Sequence, residues 1–89
     1  MNFNWNTDKN KILMDDRNVC FEDVVALIDE DKVLDIIKHP NEEKYPNQSI
    51  YILRLHGYVH MVPFLKNNDE IFLKTIVPSR KMHKLYNKE

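Results

Sequence analysis

The sequence predicts an α+β fold, an antiparallel β-meander packed against two N-terminal helices with a short C-terminal helix. Three observations predict it. Apolar residues recur at helical spacing in the first third of the chain, at Phe21, Val24, Val25 and Ile28. Later runs over 48–55, 58–65 and 70–77 are rich in β-branched and aromatic residues and are separated by turn residues, His56-Gly57 and Lys66-Asn67-Asn68-Asp69. Pro78-Ser79 then precedes a basic tail, with Pro78 ending a strand and Ser79 placed to cap a helix. The 89 residues make a single domain over 1–89, with no internal repeat and no low-complexity segment.

In chain order, Asn2 to Trp5 alternates polar and apolar and reads as a short edge strand, with Phe3 and Trp5 on one side as core anchors. Asn6 or Thr7 caps a helix from Asp8 to Arg17, and Asp8 sits in the first turn, where a carboxylate is favoured. Asn18 follows, a residue suited to a left-handed helix ending. Cys20-Phe21-Glu22-Asp23 opens a second helix with a weak capping signal, since Cys20 stands where Ser or Thr is wanted. That helix stops at Asp29-Glu30-Asp31, whose charge opposes the helix dipole. Val33 to Lys38 reads as a strand bounded by His39-Pro40, and Asn41 to Asn47 as a loop. Gln48–Leu55 and Tyr58–Leu65 are strands joined at His56-Gly57, with the chain's single glycine where a two-residue hairpin needs positive φ. Pro63 requires a missing ladder bond, and therefore a bulge or an edge. The last strand is read as one piece, Glu70 to Val77, and the last helix runs from Ser79 to about Asn87.

The hairpin spacing sets Leu55 opposite Tyr58, Leu53 opposite His60 and Tyr51 opposite Val62. Extended to the last strand, it sets Thr75 near His60 and Lys74 near Met61. Arg54 and Lys74 then share one face, and Tyr51, Tyr58, His60 and Thr75 the other. Both faces are apolar. The two helices cover one, and the C-terminal helix or another protein covers the other.

A single cysteine, Cys20, rules out an internal disulfide framework, and no Cys/His spacing resembles a zinc site. The N-terminus lacks the pattern of a signal peptide, and no apolar run reaches membrane-spanning length, so the expected setting is cytoplasmic with no membrane. Net charge is −1, which by itself argues against general nucleic-acid binding. The distribution differs: residues 1–48 carry six Lys/Arg against eleven Asp/Glu, and residues 49–89 carry seven against three. Such asymmetry points to a charged partner. The positive half ends in Leu73 to Lys81, where a strand runs into a basic helix and sets cationic side chains beside free backbone N–H groups, an arrangement that suits a phosphate.

Three ordered segments carry a resemblance. Phe3, Trp5, Asn6 and Lys9 open the chain. Asp16-Arg17-Asn18-Val19-Cys20-Phe21-Glu22-Asp23 joins the first two helices. Thr75-Ile76-Val77-Pro78-Ser79-Arg80-Lys81 and then Tyr86 close it. In this set the chain resembles the BrnT family of type II toxins, ribonucleases with a RelE-like fold. The family's patterns are Phe-x-Trp-Asp with a following Lys, Lys-His-Gly-Val-Ser-Phe-Glu-Glu, and Arg-Ile-Ile-Ser-Ala-Arg-Arg with a following Tyr. This sequence departs at Asn18 for Gly, Arg17 for His and Thr75 for Arg. The resemblance implies an endoribonuclease that inhibits translation. It also implies a cognate antitoxin, DNA-binding and dimeric, in a heterotetramer of two toxins with an antitoxin dimer.

Metal-free RNA cleavage, which needs no cofactor, uses the ribose 2′-OH as internal nucleophile. It requires a base for that proton, cations for the phosphorane charge and an acid for the leaving oxygen. Arg80 is the first choice for phosphate stabilisation, because its planar fork suits a phosphate. His60 faces inward from a central strand and is either a hydrogen-bonded core histidine or a catalytic one. Lys74 is either a mid-strand lysine whose burial would make it a base or an edge-exposed one. Arg17 and Lys9 are helix-surface residues placed to line the same groove. Lys81 and Lys84 are RNA contacts or solvated lysines, and Tyr86 either stacks on a base or packs its helix onto the sheet. His39, His56 and His83 carry no clear signal. A second expectation, from a different class, is a non-catalytic interaction or nucleic-acid-binding module that retains the fold.

Overall fold

The computed structural model describes residues 1–87. In chain order the elements are β1 (Asn2–Asn4), α1 (Thr7–Arg17), α2 (Phe21–Asp29), β2 (Asp35–Lys38), β3 (Gln48–Leu55), β4 (Tyr58–Asn67), β5 (Glu70–Leu73), β6 (Val77–Pro78) and α3 (Arg80–Tyr86). The α+β class expected from the sequence is the class observed. The sheet runs β1-β5-β4-β3-β2, with β6 also paired to β4. β1 lies parallel to β5, and every other pairing is antiparallel.

Local chemistry sets the helix ends. Asn6 Oδ1 accepts the Lys9 N–H at 2.9 Å and starts α1. Asn18 ends it at φ 58°, donating its N–H to the Met14 carbonyl at 3.0 Å, while the Val19 N–H donates to the Leu13 carbonyl at 3.5 Å. The weak start of α2 has a tertiary remedy. Cys20 makes no side-chain cap bond. Asn10, on α1, accepts the Phe21 N–H at 2.7 Å and donates to Glu22 at 2.8 Å. That bond from Asn10 also holds the Glu22 carboxyl below its ordinary value. One polar side chain therefore satisfies an orphan helix donor and fixes how α1 meets α2.

Two apolar layers sandwich the sheet. On one face, α1 and α2 press Leu13, Phe21 and Val24 onto Tyr51, Leu53 and Leu73, with Phe3 and Trp5 at the margin. Phe21 is fully buried and stacks on Trp5 with ring centroids 5.6 Å apart. A Phe21→Ala change would cost about 3–5 kcal/mol, enough to threaten a domain of this size. On the other face, α3 covers Ile50, Ile52 and Val59 with Met82 and Tyr86. The C-terminal helix is thus what covers the second face, over β2, β3 and the start of β4. Beyond its reach Phe72 remains 38% exposed.

The β3–β4 hairpin has the register read from the sequence, with Leu55 opposite Tyr58 and Leu53 opposite His60. His56 and Gly57 sit at φ 53° and 78°, the left-handed pair that a two-residue turn requires. Three expectations need correction. The strand after α2 begins at Asp35, with Val33 packed on the α1/α2 face of the sheet and Leu34 on the α3 face; Leu34 still donates to the Ile52 carbonyl at 2.7 Å. The chain's last strand is two strands. β5 ends at Leu73, and β6 resumes at Val77 with its register moved by one residue: Leu73 faces Phe64, but Val77 faces Met61. His60 pairs with Pro78 rather than lying near Thr75, and Lys74 lies beside Pro63 rather than near Met61, its N–H donating to the Pro63 carbonyl at 2.8 Å; the register of β5 itself already differs from the pairing expected. Pro63 is the physical reason for the break. Its nitrogen points to the same side as its carbonyl, toward the last strand, and has no proton to give. The irregularity foreseen for Pro63 thus falls on its neighbour, over Lys74 to Ile76. Finally, Lys74 is exposed, held 6.0 Å from the Phe72 ring, and is not a buried mid-strand lysine. Among the described residues, no helix is long and apolar enough to cross a membrane.

Candidate functional site

Three segments converge at the hairpin end of the sheet: the end of α1, the β3–β4 turn, and the junction of β6 with α3. Each is tied to the next through backbone carbonyls. His56 Nε2–H donates to the Asn18 carbonyl at 2.9 Å, so the left-handed end of α1 is fastened to the turn. Arg17 Nη1 donates at 3.3 Å to the carbonyl of Ile76, in the irregular stretch between β5 and β6. Ser79 donates its N–H to the Val59 carbonyl at 3.1 Å and accepts the Met82 N–H on its hydroxyl at 3.2 Å, which starts α3 against β4.

His60 lies at the centre, only 7% exposed. Its Nδ1–H donates to the Tyr58 carbonyl at 2.8 Å, leaving the lone pair on Nε2. Nε2 makes no hydrogen bond among the described residues, yet no buried side-chain nitrogen or oxygen there lacks a partner. Nε2 therefore reaches the surface. Burial pushes the His60 imidazole below its ordinary value. The Tyr58 carbonyl opposes this, and the nearby charges of His56 and Arg17 add to it. The neutral imidazole is therefore the favoured form.

Aromatic contacts extend the cluster. Tyr58 meets His60 edge-on, with centroids 6.0 Å apart, and stacks on His83 of α3 at 4.0 Å. His83 Nδ1 accepts the Val59 N–H at 3.2 Å and so fixes α3 to the exposed margin of β4. Arg80 opens α3 two residues after Pro78, the partner of His60, and is exposed.

The fold thus brings the segments of Arg17 and His60 together at one end of the sheet. Arg80, Lys81 and Lys84 are exposed on α3, which packs on the other face, against Ile50, Ile52 and Val59. The remaining residues stand apart. Lys9 is eight positions before Arg17 on α1, about 12 Å along the axis. Lys74 stands by Phe72 in the irregular stretch. Tyr86 resolves to packing: its ring joins the Ile50–Ile52–Val59 layer, and its hydroxyl donates to Asp35 at 2.7 Å, which raises the phenol above its ordinary value. Sequence reasoning gave no role to His56, Tyr58 or His83. Two of them left a trace, since the two-residue turn fixes His56 relative to His60 and the strand alternation sets Tyr58 on the face of His60.

No family model, curated protein or solved structure matches this chain.

Two adjoining hollows lie on the other side of the hairpin turn. The larger, about 520 Å³, is lined by Leu27, Asp31, Lys32, Val33, Leu34, Arg54 and Gly57. The smaller, about 290 Å³, shares Leu27 and Arg54 and reaches Asp23 and His56. None of the residues singled out from the sequence as site residues lines either one. Among the described residues, no three His, Cys, Asp or Glu side chains form a metal-holding set. Charge is divided by layer. The segment 7–32, which holds α1 and α2, carries eight Asp/Glu against four Lys/Arg, and the segment 48–87 carries two against six. An extended anion therefore meets attraction from the α3 side and repulsion from the outer face of the first two helices.

Proposed function

We propose that this chain is a metal-independent endoribonuclease of the BrnT toxin type, inhibiting translation in the cytoplasm and neutralised by a cognate antitoxin. The observation that carries the proposal is the meeting of two segments at one end of the sheet: the Arg17 guanidinium bonds the Ile76 carbonyl, and just beyond it Pro78 pairs with His60, whose Nδ1–H is held by the Tyr58 carbonyl. His60 Nε2 takes the proton of the ribose 2′-OH. The 2′-oxygen attacks phosphorus, the P–O5′ bond breaks, and the products are a 2′,3′-cyclic phosphate and a 5′-hydroxyl. Arg17 and Arg80 hold the phosphorane charge, and Lys81 and Lys84 contact the flanking backbone. The Tyr58 hydroxyl, with no hydrogen bond among the described residues, gives its proton to the leaving 5′-oxygen. Asn18 in place of the family's Gly costs little, because Asn accepts the left-handed conformation it adopts. Arg17 in place of the family's His keeps a cation at that position.

Incubation of purified, antitoxin-free protein with RNA tests the proposal directly. Cyclic-phosphate ends should form, and His60→Gln should slow cleavage by about 10²–10⁴-fold while the protein stays folded by circular dichroism. Intact RNA with the parent protein, or undiminished cleavage by folded His60→Gln, would remove the assignment.

One observation favours the second reading, a binding module that has kept the fold. Ile36 is 55% exposed on an edge strand and Phe72 is 38% exposed beyond α3, so apolar surface remains on both faces. In the toxin reading these surfaces belong to the antitoxin contact. In the second reading they are the whole function, and RNA is left uncut.

A further inference from the structure

The larger hollow beside the hairpin turn is not used by the cleavage chemistry, yet it is built for a ligand. We infer that it is a nucleobase subsite selecting guanine, with Arg54 donating to the O6/N7 edge and Asp31 accepting from the N1–H/N2–H₂ edge. This inference rests on the RNA-cleaving reading above and adds to it a preference for guanine next to the cut.

Size and wall chemistry come first. About 520 Å³ lies within the range of small-ligand pockets. Leu27, Val33 and Leu34 supply apolar walls for a flat ring, and Gly57 contributes no side chain, which keeps the mouth open. Two polar groups matter, and the first is pre-positioned. One guanidinium nitrogen of Arg54 is held by the Tyr86 carbonyl at 3.2 Å and by Asn87 Oδ1 at 2.9 Å. Its other N–H groups remain for a ligand, and the plane of the fork is already set. The second is Asp31, whose backbone is set at φ 59° with its N–H bonded to the Ile28 carbonyl at 3.1 Å, and whose exposed side chain lines the hollow. Lys32, its neighbour, pairs with Glu30 at 3.1 Å, which leaves the Asp31 carboxylate without an ion-pair partner among the described residues.

The mixture of charges decides between ligands. A phosphate in this hollow would meet Asp31, and Asp23 in the adjoining one, so a second anion site is disfavoured. A neutral ring with acceptors on one edge and donors on another satisfies both Arg54 and Asp31. Guanine has that pattern: O6 and N7 accept, and the N1–H and N2–H₂ edge offers two adjacent donors to a carboxylate. Adenine has no such pair of adjacent donors. The adjoining hollow runs from Arg54 to His56 of the hairpin turn, and that turn leads directly into the strand carrying His60. A base seated in the hollow therefore lies across the turn from the reacting phosphate.

The test is titration of the full-length protein with 5′-GMP, AMP, CMP and UMP at fixed ionic strength, followed by amide chemical shifts. GMP should bind about tenfold more tightly than AMP or more, with shifts at Leu27, Val33, Leu34 and Gly57. Asp31→Asn preserves a residue that accepts the left-handed backbone and should remove most of that advantage. Equal affinity for the four nucleotides, or GMP shifts confined to other regions, overturns the subsite. Mapping of cleavage ends on a mixed-sequence RNA separates this proposal from the one beneath it. Guanine-selective binding with RNA left intact supports the subsite and sinks the nuclease. Cutting without guanine bias, together with unselective nucleotide binding, sinks the subsite and leaves the nuclease standing.

Discussion

His60 joins two properties that oppose each other in water: it is nearly enclosed, and its basic nitrogen still meets the surface. Enclosure, with Arg17 and His56 nearby, disfavours the imidazolium. The unfolded chain therefore binds more protons than the fold in the window below the ordinary imidazole value of about 6.5. The contribution of His60 to stability is fully present above that value and is lost as pH falls through the window. Urea midpoints at pH 7.5 and pH 5.0 check this, and the difference should shrink in His60→Gln. At this scale the sequence was only partly legible. The pairing of His60 with Leu53 followed from the turn at Gly57. The placing of Arg17 at the same end of the sheet depends on its bond to Ile76, sixteen residues beyond His60 in the chain, and no local pattern encodes it. For Lys74 the sequence allows two alternatives, and the alternation along β5, with Ile71 and Leu73 buried and Glu70 and Phe72 exposed, continues to an exposed Lys74.

Among the elements, α2 depends most on a distant residue. Cys20 provides no cap, and Asn10 caps the helix from α1. Asn10→Ala should therefore cost about 1–2 kcal/mol, the high end for a cap, because the Phe21 N–H is partly buried. Equilibrium urea denaturation measures it, and Lys11→Ala, on the exposed side of the same helix, should stay within about 0.5 kcal/mol of the parent. The helices and the hairpin were readable because each has a local signature: Asn6, Asn18, Gly57 and Ser79 all stand where the structure uses them. The break between β5 and β6 was not. Pro63 announced a missing bond, but whether the proline's own strand or its neighbour would yield depends on the three-strand context.

For the molecule as a whole, the division of charge governs how it meets a polyanion. If Arg17, Arg80, Lys81 and Lys84 contact RNA phosphates, log Kobs should fall against log[salt] with a slope of about −3 for a single strand. Fluorescence anisotropy with a labelled RNA between low and moderate salt reads the slope. The Lys81→Glu/Lys84→Glu double variant should flatten it by about 1–1.5. The polarity of the two halves was visible in the sequence as a count. Its spatial meaning, acidic helices on one side and basic α3 on the other, required knowing that the sheet lies between them.

The kink in the final β-segment has a further result. A ladder of uniform main-chain bonds engages its own oxygens, whereas the interrupted stretch leaves the Ile76 carbonyl free to receive Arg17. The guanidinium is moored by a defect. Straightening that segment would make the sheet more regular and set adrift a cation that it now holds at the His60 end of the sheet.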